Sequence, residues 1–82
     1  MVNHSDIIWS VVDGEAVLLN IASGHYYSLN ETATDIWQRL QQGASEAQVV
    51  EAIAQTYRID PETVQRDVTE LIQELRATKL VE

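Results

Sequence analysis

The chain contains no cysteine, which excludes a disulfide framework, a thiolate nucleophile and thiolate metal ligands. Packing alone must hold the fold together. No apolar run is long enough to span a bilayer. The short polar start, residues 1–6, lacks the basic and apolar stretches of a secretory signal. A cytoplasmic protein with no membrane partner is expected. Basic residues are also scarce: 5 Lys and Arg stand against 13 acids, for a net charge of −8. Nucleic-acid affinity rests on Lys and Arg displacing counterions from phosphates, so no nucleic-acid partner is expected. The acidic balance suits a soluble partner with a neutral or basic face, and equally serves solubility alone.

The residues of chemistry are thin as well. There are two histidines, His4 in the polar N-terminal segment and His25 in a turn, and neither is spaced to pair with a serine and an orienting third group. Both read as surface histidines. A zinc site needs three or four Cys, His or carboxylate ligands, which two histidines and scattered acids do not supply. The three glycines are isolated at turns, so no Gly-rich phosphate loop exists. No catalytic residue, no metal and no cofactor is expected.

What is present is one small domain. The 82 residues bury roughly 60–65% of the surface their unfolded chain exposes. No repeat, low-complexity tract or linker divides them, so residues 1–82 are read as a single domain. The first third reads as strands over 7–12, 15–21 and 26–29. Asp13-Gly14 is a strong signal for a two-residue hairpin, and Ala22 to His25 supply a second turn. The hairpin places Val12 opposite Glu15, Val11 opposite Ala16 and Trp9 opposite Leu18. One sheet face then carries Ile7, Trp9, Val11, Ala16 and Leu18, the other Ile8, Val12, Val17 and Leu19. With both faces apolar, either helices wrap both sides or one face is kept for a partner.

The remainder reads as helices over 31–42, 46–57 and 61–76. Asn30 is an N-cap, and Ala33, Ile36, Trp37 and Leu40 form the first apolar face. Gly43 stops that helix. Ser45 and Gln48 make a capping box for the second, whose face is Val49, Val50, Ile53, Ala54 and Tyr57. Asp60-Pro61 opens the third, with Val64, Val68, Leu71, Ile72 and Leu75 in its stripe. Its acids Glu62, Asp67, Glu70 and Glu74 read as a solvated face or as the charged rim of a groove. Residues 79–82 read as a frayed end or a short extra strand. The fold class is α+β, a three-stranded antiparallel sheet followed by three helices.

Such a meander leaves its outer strands with unpaired N–H and C=O groups, where an extended peptide can add as another strand. The third strand is the better edge: it is short, uncharged and runs directly into the helix capped by Asn30. Its tyrosines suit a half-buried rim, although one of Tyr26 and Tyr27 belongs to the core, since neighbours on a strand face opposite ways.

The stretch VDGEAVLLNIASGHYYSLNETATDIWQRL, preceded by Trp9, and the later YRIDPETVQRDVTELIQEL with its closing Leu-Val, resemble the PqqD-like family, the precursor-peptide recognition elements of ribosomally made, modified peptides. The most telling pieces are Gly24 with Tyr26-Tyr27, Leu29-Asn30, Trp37, and Asp60-Pro61 with Val68 and Leu71 to Leu75. The resemblance implies a winged-helix-turn-helix-like fold. It implies that a leader peptide adds antiparallel to the third strand, in a groove against the third helix. The backbone of Tyr26, Tyr27, Ser28 and Leu29 would pair with the leader, and Val64, Asp67, Val68, Leu71 and Glu74 would line the groove. Val68, Leu71 and Leu75 are equally placed to be core. Family members often carry glycine before the final Leu-Val, where this chain has Lys79, so a different end to the third helix is expected.

The chain ends soon after that helix and reads as a freestanding, monomeric member. Two settings are then implied: delivery of the leader to a leader peptidase in lasso-peptide maturation, or presentation of the precursor in pyrroloquinoline quinone biosynthesis. The rival outside the family is a winged-helix DNA-binding regulator reading with its third helix, which the four acids on that helix oppose. A structural subunit that buries its second sheet face permanently is the third reading.

Overall fold

The computed structural model describes residue 3 and residues 6–81; His4 and Glu82 lie outside the described residues. Three antiparallel strands, β1 (Ile7–Val12), β2 (Glu15–Asn20) and β3 (Tyr26–Ser28), are followed by three helices, α1 (Glu31–Gln41), α2 (Glu46–Tyr57) and α3 (Pro61–Ala77). The sheet order is β1-β2-β3. The hairpin register is the expected one, with Val12 opposite Glu15, Val11 opposite Ala16 and Trp9 opposite Leu18. It is set by Asp13 (φ 54°) and Gly14 (φ 80°), the two left-handed residues that a tight primed turn requires.

The second turn is closed by Asn20. Its backbone carbonyl accepts from the Gly24 N–H at 2.9 Å, and its side-chain oxygen from the Ser23 N–H at 3.2 Å. β2 and β3 stop one residue short of their expected ends because Ile21 enters this turn and Leu29 enters the junction with α1. The helix caps are as the sequence implies: the Asn30 side chain accepts from the Ala33 N–H, Ser45 and Gln48 form a reciprocal capping box, and Asp60 caps α3 with Pro61 at its first position.

One side of the sheet meets the helices. Ala16 and Leu18 of β2 are fully buried there, joined by Trp37 and Leu40 of α1, Val49 and Ile53 of α2, and Val64, Val68 and Leu75 of α3. Trp37 meets Trp9 edge to face, with ring centroids 5.8 Å apart and planes at 86°, the geometry that aromatic quadrupoles favour. The other side of the sheet is bare: Ile8, Val12, Val17 and Tyr26 are all exposed. Of the two arrangements the sequence allows, the helices wrap one face only.

Residues 79–81 are neither frayed nor an added strand. Leu80 and Val81 are 2% exposed, and Val81 forms a single antiparallel bridge with Asn3. α3 closes where glycine would close it. Lys79 takes the left-handed conformation at φ 60°, and the Leu80 N–H returns to the Leu75 carbonyl at 2.9 Å. The expectation that Lys79 changes the end of α3 is corrected: the lysine adopts the glycine conformation.

Candidate functional site

The free edge of β3 owes its chemistry to the pairing of β2 with β3. The Asn20 N–H donates to the His25 carbonyl at 2.9 Å, and the Leu29 N–H to the Ala16 carbonyl at 2.8 Å. Between these two pairs the register is Leu18 with Tyr27, flanked by Leu19 with Tyr26 and Val17 with Ser28. Antiparallel ladders alternate hydrogen-bonded and non-bonded pairs. The backbone groups of Tyr27 therefore face β2, whereas the N–H and C=O of Tyr26 and Ser28 face outward. Of the four residues whose backbone the resemblance assigns to a leader, two present it to an incoming strand. The other two, Tyr27 and Leu29, are committed within the sheet, and Leu29 is also core at 2% exposed.

A buried threonine anchors this edge. Thr34 on α1 accepts the Ala16 N–H at 2.8 Å through its hydroxyl, which donates to the Leu29 carbonyl at 3.3 Å. One side chain thus ties β2, the end of β3 and α1 together. Sequence reasoning placed the apolar stripe of α1 but passed over Thr34. The available signal was a threonine three residues before Trp37, hence on the same buried face.

Side chains of β3 divide as a strand requires. Tyr26 and Ser28 are exposed on the uncovered face, while Tyr27 is half-buried on the helix side. Partial burial first, then hydrogen bonding to the Glu74 carboxylate of α3, then that carboxylate's charge, raise the Tyr27 phenol pKa above its ordinary value of 10.0. On α3, Asp67 and Glu74 are exposed, whereas Val64, Val68 and Leu71 are buried at 2%, 0% and 8% exposure. The three apolar residues hold α3 on the core, with Leu71 reaching the surface of a cleft.

One cleft lies beside β3 and the end of α3, and a second between the start of α1 and α3. The first, of about 420 Å³, is lined by His25, Tyr26, Tyr27, Thr78, Lys79 and Leu80. The second, of about 320 Å³, is lined by Asn30, Ala33, Ile36, Ile59, Asp67 and Leu71. His25, an exposed turn residue, and Lys79 enter the first cleft and were not singled out as site residues from sequence. Among the described residues no group of three or more His, Asp or Glu is placed to hold a metal ion. An outward-facing strand edge beside a cleft, with tyrosines at its rim, is suited to holding an extended peptide.

Known proteins carry the same architecture. The structure of TbiB1 in complex with the TbiA(beta) leader peptide superposes with a TM-score of 0.93 at 30% identity, covering 100% of this chain and 95% of that one. Lasso peptide synthetase B1 complexed with the leader peptide gives a TM-score of 0.93 at 31% identity, over 98% of this chain and 94% of that one. No curated protein matches the chain. The model of the family described as coenzyme PQQ synthesis protein D (PqqD) matches residues 15–81, so the chain belongs to the PqqD family.

Proposed function

We propose that this chain is a non-catalytic recognition element that binds the leader segment of a ribosomally made precursor peptide and delivers it to a maturation enzyme, a leader peptidase in the lasso-peptide setting. The observation that carries this reading is the β3 edge, where the backbone of Tyr26 and Ser28 faces outward beside α3. A leader strand adds there through main-chain hydrogen bonds, and its alternate side chains enter the cleft beside β3. Both similar structures hold a leader peptide, which supports this assignment. Tyr26, Tyr27 and Ser28 form the strand side of the site, Asp67, Leu71 and Glu74 the helix side, and Leu29, Val64 and Val68 the support beneath. The element works as one domain in the cytoplasm, where a chain without cysteine needs no oxidising compartment. No helix among the described residues is long and apolar enough to cross a membrane.

The family match favours one further setting, presentation of a precursor in pyrroloquinoline quinone biosynthesis. Calorimetric titration separates the two. The leader encoded by a small open reading frame beside the gene is expected to bind at micromolar or tighter affinity and to lose binding when scrambled. Binding of a pyrroloquinoline quinone precursor instead would reassign the pathway. A folded domain that binds neither would sink the recognition role.

A further inference from the structure

The leader edge uses one rim of the sheet and leaves its bare face unexplained. Ile8 and Val12 of β1 are 53% and 60% exposed, Tyr26 of β3 is 72% exposed, and Val17 between them is 37% exposed. The register groups them. Leu19 lies between Ile8 and Tyr26 in one cross-strand row, and Val17 between Ser10 and Ser28 in the next. Exposed apolar residues that are scattered need no explanation; a contiguous set on one face marks an interaction site.

Charge says what kind of surface fits. The acids beside this face are Asp6 before β1, Asp13 at the hairpin tip and Glu15 opposite Val12. All five bases, Arg39, Arg58, Arg66, Arg76 and Lys79, follow residue 38, so the sheet carries none. Lys79 reaches only the cleft beside Tyr26, so the β1–β2 side of this apolar centre is rimmed by acids, which opposes a second copy of itself and complements a basic-rimmed apolar surface. The face is also continuous with the leader edge: a strand added at β3 extends the same sheet and places alternate side chains beside Tyr26 and Ser28.

We infer that the outer face of the sheet, centred on Ile8, Val12, Val17 and Tyr26, is the docking surface for a partner protein with an apolar patch rimmed by basic residues. Resting on the proposed function, that partner is the maturation enzyme that receives the leader. One molecule then engages two partners at once, the leader at the β3 edge and the enzyme on the adjoining face.

The test measures two affinities on each variant. The probe for the face is the purified leader peptidase encoded beside this chain's gene, read by biolayer interferometry; the probe for the edge is the leader peptide, read by calorimetry. An Ile8→Lys, Val12→Lys double variant, altered only at exposed positions, is expected to weaken peptidase binding by at least about tenfold and to leave leader affinity unchanged. A Glu15→Lys variant is expected to weaken peptidase binding at low salt, with the difference fading as salt rises. Peptidase binding that survives both changes in a folded protein would overturn the proposal. So would a wild-type chain that dimerises through this face, with the double variant restoring the monomer. A chain that binds the peptidase through this face but binds no leader would defeat the proposed function while supporting the docking surface.

Discussion

The phenol of Tyr27, on the edge strand of the sheet, lies within the influence of the Glu74 carboxylate on α3. That environment makes the stability of the domain sensitive to alkaline pH. The folded-state pKa of Tyr27 is raised above its ordinary value of 10.0, by partial burial first and by Glu74 second. A raised folded pKa means the contribution to stability is fully present below the unfolded value and is lost as pH rises through the folded one. Tyr27→Phe is therefore expected to melt below wild type by a constant margin up to about pH 10, with the margin shrinking above it. Thermal melts of both proteins from pH 8 to 11 check this. Tyr57 is raised as well, first by its hydrogen bond to Asp35, but it is common to both proteins and cancels in the difference. A margin that stays constant to pH 11 would remove the Tyr27–Glu74 link from the account.

Ser28 offers a sharper test of strand addition. Its N–H faces away from β2, so Ser28→Pro removes a donor at the free edge without breaking a bond inside the sheet. The preceding Tyr27 is already in a strand, as a residue before proline prefers. The variant is expected to keep its fold and lose leader affinity by roughly five- to tenfold, the worth of one net hydrogen bond of about 1 kcal/mol or slightly more. Calorimetry paired with circular dichroism reads both quantities. Full affinity in the folded variant would mean that the leader docks elsewhere.

Much of this was legible because local rules and global fold agree. Asp13-Gly14 dictated a two-residue turn, the turn dictated register, and register dictated which side chains of β1 and β2 share a face. Asn30, Ser45 and Asp60-Pro61 marked the helix starts for reasons of backbone hydrogen bonding alone. The site was less legible. Val64, Val68 and Leu71 carry the same apolar stripe whether they face a groove or a core, and only the position of α2 beneath α3 decides for the core. The backbone direction of β3 depends on hydrogen-bond phase, which Asn20 and Leu29 fix and residue type does not reveal. Thr34 lies three residues before Trp37 and so on the buried face, but a stripe traced by apolar residues alone passes over a polar one.

That anchor has a measurable cost. Thr34 is 3% exposed, and its hydroxyl is the acceptor for the Ala16 N–H at 2.8 Å. Thr34→Val keeps the shape and removes the oxygen, leaving a buried N–H without its partner. The expected loss is about 1–3 kcal/mol of unfolding free energy. Thr34→Ser, which restores the hydroxyl, should recover most of it. Urea denaturation of the three proteins distinguishes this from a packing effect, because a packing defect would leave the serine variant, which lacks the methyl, the less stable of the two.

Lys79 is the position where the sequence departs from glycine at the end of α3, and the structure shows the consequence. At φ 60° the lysine holds a left-handed conformation that costs a side-chain-bearing residue roughly 1–2 kcal/mol and glycine very little. Its N–H still closes the helix by donating to the Arg76 carbonyl at 3.0 Å, so the backbone there does not need the lysine side chain. Lys79→Gly is therefore expected to stabilise the domain by up to about 1 kcal/mol, since glycine's greater freedom in the unfolded chain offsets part of the relief. For a domain of this size that raises the melting temperature by about 4–8 °C. The same variant removes a cation from the cleft that holds His25, Tyr26 and Tyr27. If leader affinity falls while the melting temperature rises, the lysine is kept for the ligand at the expense of the helix end. If affinity is unchanged, its strained conformation has no return in binding.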